Sequence, residues 1–138
     1  TKMEEVMDAH DQVMDRMPRL AKLIGKLETK ADASYEKQKY RNAIKDLKAA
    51  NKSMMDWMTG FGNRFEADEM YKGKPLSDQK KEWLIEEDKN IAQLREEINL
   101  SIQQGEKLLG NWETFFSLFF ESDLVYLSYR DGHQFHEI

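Results

Sequence analysis

The sequence predicts an all-α fold: an elongated antiparallel three-helix bundle followed by an aromatic-rich C-terminal appendage. Three observations carry that prediction. Apolar residues recur at helical spacing through most of the first 109 positions. The stretches between them are short or marked by Gly and Pro, so that sequential helices become antiparallel neighbours. At Gly110 the composition changes abruptly, because residues 111–138 hold more than half of the aromatic side chains (Trp112, Phe115, Phe116, Phe119, Phe120, Tyr126, Tyr129 and Phe135) and a single basic one, Arg130. The expected division is therefore a helical bundle over 1–109 and an aromatic tail over 110–138 that packs on the bundle or on a partner.

The first helix is expected from Lys2 to about Lys30. Met3, Met7, His10, Met14, Met17, Ala21, Ile24 and Leu27 alternate at spacings of four and three, which draws a seam along one side. Pro18 has no N–H to give the carbonyl of Met14, so the helix is expected to kink or restart near Met17. Thr29 to Ser34 reads as the first turn, with Asp32 or Ser34 as N-cap of the next helix. A second stripe follows through Tyr40, Ile44, Leu47, Ala50, Met54, Trp57, Met58 and Phe61, and Gly60 and Gly62 are expected to stop that helix. Asn63 to Pro75 shows no sustained period. Ser77 then caps a third helix whose buried side is Leu84, Ile91, Leu94, Ile98, Ile102 and Leu109, with Glu87 and Asp88 making its early part wetter. Core positions expected from these stripes are Met7, Met14, Leu47, Met54, Trp57, Ile91 and Ile98. In the tail, Trp112 to Phe120 continues as a short helix, and Leu124 to Ile138 forms a β-hairpin about Asp131-Gly132.

Composition closes several functional classes. The 138 residues include no Cys, which removes disulfides, thiolate metal sites and a cysteine nucleophile. With 21 basic and 26 acidic residues the net charge is −5, which argues against nucleic acid as a partner. No apolar run reaches membrane-spanning length and no signal peptide is apparent. The chain begins at Thr1, as a trimmed or processed product would.

Two sets of residues invite chemistry, and each has a plainer reading. Met7, His10, Met14 and Met17 offer soft thioethers and an imidazole on one side of a helix, the donor set that suits Cu(I). The competing reading is that they are the apolar seam of the bundle, with Met as an adaptable filler. His10 and Asp11 are adjacent and point about 100° apart, so no same-face pair is expected. Glu86, Glu87, Asp88, Glu96 and Glu97 lack the Glu-x-x-His signature of a di-metal bundle and read as solvated charge. His133 and His136 fall on opposite faces of a strand. Neither catalytic residues nor a bound cofactor other than copper is suggested. Trp112, Phe115, Phe116, Phe119 and Phe120 either fold back as a cap or present an apolar face to a protein partner or a second copy.

Certain segments also resemble a known family. Met3-Glu4-Glu5-Val6-Met7 with His10-Asp11 and Val13-Met14, then Ala50 to Met58 leading into Gly60-Phe61-Gly62, then Lys80 to Leu84 and Glu106 to Leu109, are together similar to a family of small helical lipoproteins from Bacteroidota, often labelled viral A-type inclusion protein. The resemblance spans about residues 2–109, and Ser53 to Gly62 is its most specific piece. It implies a lipidated cysteine just upstream of Thr1 and attachment to the periplasmic or outer-membrane side of a Gram-negative envelope, and it brings no catalytic residues with it. From this reading the protein is a non-catalytic, envelope-associated binding or structural module; the alternative is a periplasm-facing copper-binding protein.

Overall fold

The computed structural model describes residues 1–123, with side chains as far as residue 110. The described chain is all-α, with helices α1 (Lys2–Asp32), α2 (Lys37–Arg64), α3 (Ala67–Tyr71) and α4 (Asp78–Asp123) and no strand among the described residues. The three long helices pack against one another as a bundle. Contacts divide the chain into two compact units, Thr1–Gly105 and Glu106–Ile138. The β-hairpin expected over Leu124 to Ile138, with His133 and His136, lies outside the described residues.

The register within the first unit is written in polar contacts between helices. Lys2 Nζ reaches Asp88 Oδ2 at 3.1 Å and Arg95 Nη1 donates to Gln12 Oε1 at 3.0 Å, so α1 and α4 run in the same direction. Lys48 meets Glu28 at 3.6 Å, and Ser53 Oγ donates to Glu97 Oε2 at 3.3 Å. Together with the Arg64 contacts to Glu86 and Glu87, these set α2 antiparallel to both neighbours. This is the arrangement that short connections predict.

Local sequence accounts for the element ends. Thr1 Oγ1 accepts the Glu4 N–H at 3.1 Å and the Glu4 side chain answers to Thr1, a reciprocal cap that opens α1. Between α1 and α2 the Ser34 hydroxyl accepts the Glu36 N–H at 2.9 Å, but α2 starts after Glu36 rather than after Asp32 or Ser34. Ser77 does cap α4, its Oγ accepting the Lys80 N–H at 3.2 Å.

The second and third stripes are buried as expected. Tyr40, Ile44, Leu47, Ala50, Met54, Trp57 and Phe61 are buried on α2, where Met58 of the same stripe is half-buried; Leu84, Ile91, Leu94, Ile98, Ile102 and Leu109 are buried on α4. The first stripe is not the one expected. On α1 the innermost residues are Val6, Val13, Leu20 and Leu27, a strict seven-residue repeat, joined by Met3, Ala9, Leu23 and Ala31. Met7, His10, Met17 and Ile24 are half-buried, Ala21 is exposed, and Met14 is 39% exposed. Met3 and Leu27 of the expected stripe are in the dry seam, but at Val6 and Val13 it runs one residue before Met7 and Met14, where compact Val fills it with fewer rotamers to freeze than Met.

Three boundaries also differ from expectation. Helix α1 passes through Pro18 without restarting; Pro18 is exposed, and the carbonyl it leaves without a backbone partner is that of Met14, itself an exposed residue. Helix α2 continues past Gly60 and Gly62 to Arg64. Two helical glycines cost about 1 kcal/mol each, whereas burying Phe61 and Phe65, whose rings stand 4.7 Å apart, gives about 1.5–3 kcal/mol apiece. The supposedly irregular stretch after Asn63 contains α3, opened by a reciprocal cap between Glu66 and Glu69.

Candidate functional site

Three regions were singled out by their residues or by the fold, and the structure treats them differently. The Met/His stripe of α1 lies along the flank of the bundle. Positions 7, 10, 14 and 17 fall within one strip of a single unbroken helix, beside the core instead of inside it. His10 is 21% exposed at the side chain, and its Nδ1 stands 3.0 Å from Asp11 Oδ1. The adjacent pair does meet: the 100° offset separates long side chains, but Nδ1 and a short carboxylate lie close enough to the backbone to bridge around the helix. The His10 ring centroid is 6.1 Å from that of Trp57 on α2.

Trp57 sits at the head of an aromatic row along α2. Its ring stacks on Phe61 at 4.8 Å, and Phe61 in turn touches Phe65. Its indole N–H is buried without an acceptor among the described residues. Trp57 also lines a cleft of about 430 Å³ between α2 and α4, together with Ser53, Asp56, Glu87, Asn90, Leu94 and Glu97.

The polar groups at one end of this cleft hold helices together. Glu87, expected to be solvated, is buried, and its carboxylate takes Arg64 Nη1 at 3.3 Å and the Asn90 amide at 3.1 Å. Arg64 also pairs with Glu86 at 2.9 Å and lies 5.1 Å above the Trp83 ring. Glu87 was legible in retrospect, since positions 84, 87, 91 and 94 form one helical stripe and Glu87 occupies an inward step of it. Glu96 and Glu97 are exposed, as expected.

A second buried carboxylate fastens α3 to the start of α4. Glu69 accepts both the Glu66 N–H at 2.7 Å and the Lys80 ammonium at 2.8 and 3.1 Å. The backbone N–H first, and Lys80 second, hold its carboxyl below the usual carboxylate range. Lys74, bonded to Glu66 at 2.7 Å, has its ammonium pushed above the ordinary lysine value by that carboxylate.

The third region is the continuation of α4. The helix extends to Asp123, so positions 112, 115, 116, 119 and 120, which carry Trp112, Phe115, Phe116, Phe119 and Phe120, recur at i, i+3, i+4, i+7 and i+8 along a helical backbone. Comparison of the chain with protein-family models, with curated proteins and with solved structures returned no match.

Proposed function

We propose that this protein is a non-catalytic helical binding module in which the first unit is a scaffold and the aromatic stripe of α4 receives a protein partner. The observation that carries the reading is that α4 remains helical to Asp123, which sets Trp112, Phe115, Phe116, Phe119 and Phe120 at the spacing of an amphipathic recognition helix. Charge supports the same assignment. Residues 1–110 carry 20 basic and 21 acidic side chains, whereas residues 111–138 carry one and five, so nearly all of the net −5 sits with the aromatics. An apolar groove with a basic rim is the complement of such a segment; an anionic membrane surface is not. The non-catalytic reading rests on the use made of the buried carboxylates: Glu87 and Glu69 are committed to ion pairs with half-buried Arg64 and Lys80 that join helices. In the full-length protein, attachment to the envelope through an upstream lipidated cysteine follows from the resemblance to the Bacteroidota lipoproteins.

The test is affinity capture with cross-linking from a Gram-negative envelope fraction, comparing the whole chain with Phe115→Ser/Phe119→Ser, alongside melting curves of the whole chain and of a chain ending at Gly110. A partner or second copy held by the first and lost from the double variant, with little change in melting temperature on shortening, supports the module. Identical capture by both chains, with a large fall in melting temperature on shortening, assigns the aromatics to a cap and contradicts it.

A further inference from the structure

We infer that α1 carries a soft-metal site on the flank of the bundle, with His10 and Met14 as its central pair and Met7 and Met17 as the adjoining thioether donors, and that its metal is Cu(I). Val6, Val13, Leu20 and Leu27 fill the core side of α1, and of the methionines on this helix Met3 alone is buried with them. Met7 and Met14 lie one step round the helix from Val6 and Val13; Met7, His10 and Met17 are half-buried and Met14 is 39% exposed. A monovalent soft ion favours such a boundary, where thioethers are reachable but poorly hydrated.

The spacing permits convergence. Met7 to His10 is i, i+3 and His10 to Met14 is i, i+4, separations that bring Cβ atoms to about 5–6 Å, within reach of one ion for side chains of this length. Met17 stands i, i+3 from Met14 and offers a third donor on the other side. These relations hold only if the helix keeps one register across the stretch, and α1 does so through Pro18.

His10 is also prepared electronically. A neutral imidazole that donates its Nδ1–H to the Asp11 carboxylate, 3.0 Å away, keeps the Nε2 lone pair for a metal. A carboxylate behind an imidazole fixes the tautomer and raises ligand basicity, the arrangement common behind metal-bound histidines. The binding step is addition of three neutral donors to Cu(I), with no change of oxidation state and no proton released from the tautomer described. The donors are the His10 imidazole, the Met14 thioether and one of Met7 or Met17, which stand about 15 Å apart along the helix and so serve as alternatives.

The experiment is an anaerobic competition titration of the whole chain with Cu(I) against a chromophoric Cu(I) chelator. Dissociation in the nanomolar range or tighter is expected, weakened at least tenfold by His10→Ala, by Met14→Leu and by the double variant Met7→Leu/Met17→Leu, and unchanged by Met55→Leu on α2. Ag(I), a redox-silent substitute, supplies a second readout, in which the methyl resonances of Met7 and Met14 shift while that of buried Met54 stays in place. Affinity weaker than micromolar, or equal affinity in His10→Ala and the parent, would overturn the site. Met7, His10 and Met17 are half-buried, so a melting curve of each variant accompanies the titration and affinities are compared among variants that are folded at the titration temperature.

Discussion

Arg64 Nη1 stands 3.3 Å from Glu87 Oε2, and the two side chains are 31% and 6% exposed: a half-covered cation closes over a nearly dry carboxylate. The last turn of α2 is tied in this way to the early part of α4. Arg64→Ala is expected to destabilise the chain by about 2–3 kcal/mol, because it leaves a buried carboxylate without its ion; the figure sits below that of a fully buried pair because Arg64 retains contact with water. Urea unfolding measures it. The double replacement Arg64→Met/Glu87→Leu should recover most of the loss, and a double variant no better than Arg64→Ala would show that the pair does more than compensate its own desolvation.

Trp57 is buried, with an indole N–H that meets no acceptor among the described residues. Trp57→Ala should cost about 3–5 kcal/mol by emptying the space beside Phe61. Trp57→Phe should cost only about 1 kcal/mol, since no hydrogen bond is lost and the stack on Phe61 is kept. Equal losses in the two variants would mean that the N–H has a partner after all.

The glycines divide by what a methyl group would meet. A Cβ on Gly105 would come 2.8 Å from Leu23 Cδ2 and 3.2 Å from Leu27 Cδ1 of α1, whereas at Gly60 and Gly62 nothing among the described residues lies within 4 Å. Gly60→Ala and Gly62→Ala should each raise stability by about 0.5–1 kcal/mol through helix propensity. At Gly105 the same gain is set against crowding of about 1–3 kcal/mol, so Gly105→Ala should be neutral to destabilising and Gly105→Val clearly destabilising. Thermal melts of the four variants check the order.

Stability in acid should depend on Glu69. Its carboxyl is held below its unfolded value of about 4.3 by the Glu66 N–H and by Lys80, so the ionised form stabilises the fold above that pH and its contribution fades as pH falls through the folded-state value. The stability difference between the parent and Glu69→Gln should therefore be constant near neutrality and close below about pH 4. A gap that persists unchanged to pH 2.5 would remove the pair from the acid response.

The architecture was legible because burial repeats. On α2 and α4 one apolar stripe has no rival, and the residues named from it are buried except Met58, which is half-buried. On α1 two stripes run side by side, and the methionines, which catch the eye, lie one position after the Val6, Val13, Leu20 and Leu27 repeat that the fold uses. Hydrophobic spacing alone does not rank Met against Val, so Met7 and Met14 were assigned to a core they only border. Glu87 and Glu69 were missed because carboxylates read as solvated unless their cation is known, and Arg64 and Lys80 come from distant turns. The glycines of α2 suggested a stop because propensity is local; the row Trp57, Phe61 and Phe65 that carries the helix past them depends on tertiary burial. Of the residues of the proposed copper site, the stripe Met7, His10, Met14 and Met17 was visible in the spacing, while the contact between Asp11 and His10 was not.

The central claim is that α1 packs through its valine and leucine repeat and leaves the methionine stripe to another use. Denaturant unfolding of Leu20→Ala and Met14→Ala, side by side, tests it most directly. Leu20 is 1% exposed and Met14 is 39% exposed, so the first substitution should cost about 2–5 kcal/mol and the second under about 1 kcal/mol. Comparable losses at the two positions would return the methionines to the core and contradict the account.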